Sequence, residues 1–340
     1  RFNVHWGHRV RCPFLFLDCP VRRLCDIPFQ SGIGGDIIDT AVQIGNLRLK
    51  NPVTVASGTA GYGEELSRYF DISRLGAVFT KGLSLEPRRG NRGPRIIETP
   101  SGMLNSIGLE NVGLDVFLAQ KLPFLIERGA TVIPNIAGHS VDENVELCRV
   151  LGGTGGIAAL ELNVSCPNVK EGGIAFGRNL STFSALVSAV RKVTPVPLIV
   201  KLSPNVTDVT EFAAAAKDCG ADAVSAVNTF LGMKIDVATG RPHFQNRVAG
   251  LSGPAIRPVA VRIVYEIFAK VDIPVIGIGG IGSLEDMLEF IMAGACAVSI
   301  GTMSLVNPRT AIECVEGFEA YMRDRGISAA REIIGTAHRM

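Results

Sequence analysis

Val275-Ile-Gly-Ile-Gly-Gly-Ile-Gly282 can be read in two ways, and the choice decides the fold. Gly277 to Gly282 has the GxGxxG spacing after an apolar run and before a helix-compatible segment, as in a dinucleotide-binding unit. The surroundings argue otherwise. The next apolar run ends Val298-Ser-Ile-Gly-Thr302 with no acidic residue to hold a ribose, and six strand units precede the motif where a Rossmann fingerprint would open its domain. In a closed barrel, glycines after the last two strands instead offer backbone N–H groups and a helix N-terminus to a phosphate. Gly279, Gly280, Gly301 and Thr302 are therefore expected to cradle a monophosphate.

Outward from this stretch, short apolar runs recur with longer helix-compatible segments between them, the pattern of parallel strands buried on both faces. The expected strands are Val53–Ala56, Ala77–Thr80, Val132–Asn135, Ala159–Asn163, Leu198–Leu202, Ala223–Val227, Val275–Gly277 and Ala297–Ile300. Expected helices include Thr182–Val193, Val209–Cys219, Pro258–Lys270 and Leu284–Ala293, the last ending at Gly294 as a C-terminal cap. Before them, Thr40 to Lys50 alternates apolar and polar residues around Gly45-Asn46, which predicts a β-hairpin. The fold expected is α/β: a (β/α)8 TIM barrel with an N-terminal β-hairpin, formed by residues 37–340 as one domain.

Composition narrows the function. With 47% hydrophobic and 19% charged residues, the chain can bury a large core. Its 34 basic and 32 acidic residues leave a net charge of +2, so no global field suggests a nucleic-acid or membrane-surface binder. The eight cysteines, Cys12, Cys19, Cys25, Cys148, Cys166, Cys219, Cys296 and Cys314, include no CxxC and no zinc-type spacing, so no metal is expected. Reduced core cysteines of a cytoplasmic protein fit better than a disulfide framework. Residues 1–36 differ: Arg1, Arg9, Arg11, Arg22 and Arg23 surround the short apolar run Phe14 to Leu17. That run is too short to span a bilayer. The segment is expected to lie outside the fold as a basic extension, although its composition also suits a transit leader.

Barrel enzymes build their sites where the chain leaves the C-terminal ends of the strands. Those positions hold Ser57-Gly58, Lys81-Gly82, Asn135, Asn163 to Cys166, Lys201, Asn228-Thr229, Gly279-Gly280 and Gly301-Thr302. A strand-ending Gly, Asn or Thr is ordinary by itself. Lys81 and Lys201 are not, because an unpaired ammonium in an apolar strand is costly; each needs a bound anion or, failing that, a core carboxylate. Cys166, at a strand end beside Pro167 and near Lys170, has the setting of a thiol that can ionise and act as base or nucleophile. The Gly-containing loop from Lys170 to Gly177 could close over it. His139 follows the third strand, but a lone loop histidine is more often structural or solvated.

Three motifs, Asn105-Ser-Ile-Gly-Leu109, Asn163-Val-Ser-Cys-Pro-Asn-Val-Lys170 and Gly250-Leu-Ser-Gly-Pro-Ala-Ile256, resemble the class 1 dihydroorotate dehydrogenases, FMN enzymes of pyrimidine (UMP) biosynthesis. The cysteine at 166 resembles class 1, since the membrane-bound class 2 enzymes carry serine there. Pro167 to Gly177 is most similar to the B subclass, the NAD-linked catalytic subunit. The resemblance implies oxidation of dihydroorotate to orotate with reduction of one FMN per chain, and Cys166 as the catalytic base. By the same resemblance Ser57, Lys81, Gly82, Asn135, Asn163, Lys201, Val227, Gly253, Gly279, Gly280, Gly301 and Thr302 would bind FMN. Lys81, Asn105, Ser106, Ile107, Gly108, Leu109, Asn163, Asn228 and Thr229 would hold the substrate. It further implies a partner subunit carrying FAD and a [2Fe-2S] centre, within a homodimer core or heterotetramer. Alternatives are another FMN barrel dehydrogenase acting on a related pyrimidine, a fumarate-linked class 1A enzyme, a non-catalytic flavin subunit, and a phosphate-substrate aldolase or isomerase.

Overall fold

The computed structural model of the chain describes residues 38–165, 167–168 and 174–339; the basic leader, residues 1–36, lies outside them. Val42–Ile44 and Leu47–Leu49 pair antiparallel across Gly45-Asn46, giving the expected hairpin.

The barrel follows. Its first strand, Val53–Val55, pairs in parallel with the second, Ala77–Phe79, and with the eighth, Ala297–Ile300. The third strand is in two pieces, Val132–Ile133 on the second strand and Asn135–Ile136 on the fourth, Leu160–Asn163. The fifth, Leu198–Lys201, the sixth, Ala223–Ala226, and the seventh, Val275–Ile278, complete the circuit back to the eighth. The two end segments of the nine-strand order thus belong to one strand split at Pro134, and the sheet closes on itself as a TIM barrel. Pro134 has no N–H for the ladder, but its carbonyl accepts from the Glu161 N–H at 2.9 Å, so the register carries across the break.

Closure explains the near-continuous apolar runs: the last four strands are buried at every position, on the packed barrel interior and against the helices outside. Gly277 lies within the seventh strand, and a Cβ there would come within 2.5 Å of the Phe290 ring on the following helix. That glycine serves helix-on-sheet packing rather than a nucleotide loop. Helix starts are set by side-chain caps. Ser140 accepts from Glu143 N ahead of Val141–Gly152, Asn179 caps Leu180–Arg191, Asp208 caps Val209–Asp218, and Ser283 caps Leu284–Met292. The last helix stops before Gly294, as expected.

One element is absent from the sequence-based expectation. Ile96–Thr99 and Gly102–Asn105 from the segment after the second strand, with Phe230–Gly232 and Ala249–Ser252 from the segment after the sixth, form a four-stranded antiparallel sheet. Its own small core of Leu104, Phe244 and Ala249 is separate from that of the barrel. Two of the three recognition motifs enter this sheet, which places them beside the strand ends.

Candidate active site

A cavity of about 920 Å³ opens among the C-terminal strand ends and the antiparallel sheet, within the usual size range of ligand pockets. Every residue assigned above to cofactor or substrate lines it: Ser57, Lys81, Gly82, Asn105 to Leu109, Asn135, Asn163, Lys201, Val227, Asn228, Thr229, Gly253, Gly279, Gly280, Gly301 and Thr302. His139 lines it too, and burial, helped by the nearby Arg88, pulls its pKa below the ordinary imidazole value. Cys166 and Lys170 lie outside the described residues. Ser165, immediately before the cysteine, lines the cavity and accepts from Asn228 Nδ2 at 3.0 Å.

Both lysines have carboxylate partners within the protein. Lys201 Nζ stands 3.9 Å from Glu161 Oε2 and donates to Ser57 Oγ at 3.4 Å. Glu161, on the fourth strand, also accepts from Asn135 Nδ2 at 2.5 Å and from Ser225 Oγ at 2.6 Å. Lys81 Nζ lies 3.4 Å from Glu110 Oε2, and the same oxygen takes Arg95 Nη1 at 2.9 Å. The Arg95 hydrogen bond, aided by the Lys81 charge, holds the Glu110 carboxyl below its ordinary pKa. Neither glutamate featured in the sequence reading. The signal for Glu161 was present: Leu160-Glu-Leu162 buries a charge inside an apolar strand just as Val200-Lys-Leu202 does.

The asparagines form a connected set. Asn228 Nδ2 donates to Asn163 Oδ1 at 3.3 Å, and Asn228 Oδ1 accepts from Thr229 N at 2.8 Å. Asn105 Nδ2 donates to the Gly250 carbonyl at 3.2 Å, tying the start of the Asn105 to Leu109 motif to the neighbouring strand of the antiparallel sheet. Asn205, which the sequence reading missed, bonds Thr229 O and Leu231 N and so holds the sixth-strand loop at the cavity rim. Among the described residues, no turn or loop hydrogen bond runs from the N–H groups of Gly279, Gly280, Gly301 or Thr302, which also line the cavity, to a backbone carbonyl. Gly280 has φ +74°, and a Cβ there would lie 2.7 Å from the Gly253 carbonyl, so only glycine lets this turn approach the Gly253 loop. Thr302 Oγ1 donates to Ser252 Oγ at 2.8 Å, joining the eighth-strand turn to the same loop.

The arrangement offers backbone donors, a buried ammonium, an amide cluster and a second, partly exposed ammonium around one cavity. Among the described residues no group of metal-ligating side chains assembles, and no helix is long and apolar enough to cross a membrane.

Comparison with known proteins identifies the family of the chain. The family profile described as "Dihydroorotate dehydrogenase" matches residues 40–322. A Trichlorobacter lovleyi protein described as "Dihydroorotate dehydrogenase B (NAD(+)), catalytic subunit" is 54% identical over 295 residues, 87% of this chain and 97% of its own length. Proteins of the same description from Desulforamulus reducens and Petrotoga mobilis are each 50% identical, covering 88% of this chain and 99% of their own lengths.

Proposed function

The chain belongs to the dihydroorotate dehydrogenase family, and from that premise we propose that it oxidises dihydroorotate to orotate in de novo pyrimidine biosynthesis. It acts as the catalytic subunit of an NAD-linked enzyme, with residues 37–340 as its catalytic domain. The observation that carries this reading is the gathering, around one cavity, of all the described residues that the resemblance assigned to cofactor and substrate.

The walls suit FMN, the cofactor of the family. The N–H groups at Gly279, Gly280, Gly301 and Thr302 would hold its phosphate, as glycine turns after the last two barrel strands do for phosphorylated ligands. Lys201, reaching the cavity floor, would face the electron-rich edge of the ring system, with Ser57, Gly82, Asn135, Val227 and Gly253 along its sides. When bound, FMN supplies the acceptor for the hydride leaving C6 of dihydroorotate.

The protein's own groups supply the rest. Lys81 holds the substrate carboxylate, displacing its contact with Glu110, which keeps Arg95 as partner. Asn105, Asn163 and Asn228 each carry both a donor and an acceptor and so match the carbonyl and N–H edges of a dihydropyrimidine ring. Ser106 to Leu109 and Thr229 close the pocket beside it. Cys166, as thiolate, removes the C5 proton, a general-base step of the kind worth about 10² to 10⁴ in rate.

A partner subunit carrying FAD and a [2Fe-2S] centre would supply the route for electrons to NAD, in a cytoplasmic assembly with a homodimer core or as a heterotetramer. The test is spectral. Purified protein is expected to show the yellow flavin absorbance, perturbed by orotate; a colourless protein, or a flavin spectrum indifferent to orotate, overturns the reading. Co-purification of a brown partner chain that confers NAD reduction tests the electron route, and efficient fumarate-linked turnover by the isolated chain contradicts it.

A further inference from the structure

Glu110 is the one carboxylate, among the described residues, that lines the cavity. An acid is out of place in a wall that would receive an anionic substrate, because like charges brought together oppose binding. Its two cationic partners are not equivalent. Glu110 Oε2 takes Arg95 Nη1 at 2.9 Å and Lys81 Nζ at 3.4 Å. Arg95 is anchored besides: its Nε donates to the Asn91 carbonyl at 2.7 Å and its Nη2 to the Arg89 carbonyl at 2.8 Å. Lys81 Nζ has no partner but Glu110 among the described residues, so theirs is the contact that a ligand can replace. Nor is the carboxylate needed to hold its loop. Residues 88–95 and 105–111 are already joined by bonds from Asn91 N to Ile107 O, from Ser106 N to Arg95 O, and in both directions between Arg88 and Asn111. Asn91 Nδ2 also donates to the carbonyl and the hydroxyl of Ser106, each at 3.0 Å. Past Glu110, the buried Asn111 donates to Ser84 Oγ at 2.7 Å, so the carboxylate is presented from a fixed backbone.

We infer that Glu110 is a built-in competitor for Lys81: it occupies the ammonium whenever a ligand carboxylate does not, and so limits the affinity for the carboxylate product and speeds its release. The inference deepens the proposed function and rests on Lys81 as the partner of the substrate carboxylate. The exchange is possible because Arg95 keeps Glu110 satisfied while Lys81 is given over to the ligand. The sign of the effect separates this role from a structural one. Removing a competitor tightens the binding of a carboxylate ligand, whereas removing a loop anchor or a substrate-binding group weakens it.

The experiment measures orotate association and dissociation by stopped flow at the flavin band of oxidised holoprotein, in wild type, Glu110→Gln, Lys81→Ala and the double variant. Glu110→Gln is expected to bind orotate about 2- to 5-fold more tightly, the range of a partly exposed ion pair, chiefly through slower dissociation. In the Lys81→Ala background the same substitution is expected to change nothing, since a competitor without its target has no effect. Orotate binding by Glu110→Gln that equals or falls below wild type would overturn the inference. Tightening of the same size with Lys81 absent would overturn it too, because a general field of charge acts without the contact. If Glu110→Gln does not fold or retain flavin, Glu110→Asp draws the carboxylate back from the ammonium and is expected to tighten orotate binding in smaller degree; equal or weaker binding there counts equally against it. Wild-type holoprotein that fails to bind orotate, or Lys81→Ala that binds it as wild type does, would instead defeat the reading of the site, so the two failures are distinguishable.

Discussion

Under the proposed function Lys81 meets two demands: its ammonium would attract an acidic substrate yet be satisfied before the substrate arrives. Glu110 meets the second demand through a partly exposed contact, and such pairs are weak enough to exchange. Lys81→Ala is expected to weaken orotate binding about 10- to 100-fold, as the loss of one charge-assisted hydrogen bond of about 1.5–3 kcal/mol. Calorimetry on the holoprotein checks this, and unchanged affinity would remove Lys81 from the substrate site. The cysteines make a second prediction at this scale. Burial pushes the thiols of Cys148, Cys296 and Cys314 up to about 12. A raised pKa leaves them neutral thiols throughout the working range, and only the thiolate alkylates. Iodoacetamide treatment of native protein at pH 8, read by peptide mass spectrometry, is expected to leave all three unmodified; rapid labelling would mean that the barrel opens around them.

At the scale of elements, the turns after the seventh and eighth strands are built on steric necessity before any ligand is considered. Gly280→Ala places a Cβ against the Gly253 carbonyl at a positive φ, and the expected cost is about 1–3 kcal/mol together with weakened flavin retention. Thermal melting and flavin release measure the two effects; a variant with wild-type melting temperature contradicts the packing argument. Ser140→Ala removes the cap of Val141–Gly152 and is expected to cost about 1 kcal/mol, read by thermal melting. The barrel strands were legible because two-sided burial leaves a continuous apolar run, and each expected strand matches an observed one within two residues at either end, apart from the break at Pro134. The antiparallel sheet over the mouth was not. Its strands are two-sided, short and rich in glycine, and Ile96 and Leu231 are exposed, so neither periodicity nor burial marks them in the sequence. The lysines were legible as charges out of place. Their glutamate partners carry less signal: Glu161 is a single acid between leucines, and Glu110 sits in a loop with no pattern at all.

For the whole molecule, closure of the barrel does what no single strand can. Residues as far apart in sequence as Ser57 and Thr302 reach one cavity because the first and eighth strands are neighbours. The antiparallel sheet then brings Asn105 and Gly250 together at the rim, so the Asn105 to Leu109 segment is held by one that follows it by more than a hundred residues. In the proposed reaction this cavity oxidises dihydroorotate with Cys166 as base. Anaerobic rapid mixing of holoprotein with dihydroorotate, followed at the visible flavin band, tests it most directly. Wild type is predicted to bleach in one turnover, while Cys166→Ala keeps its flavin and its orotate affinity but bleaches about 10² to 10⁴ times more slowly. A wild-type flavin that dihydroorotate leaves oxidised, or a Cys166→Ala protein that bleaches as fast as wild type, would contradict the account.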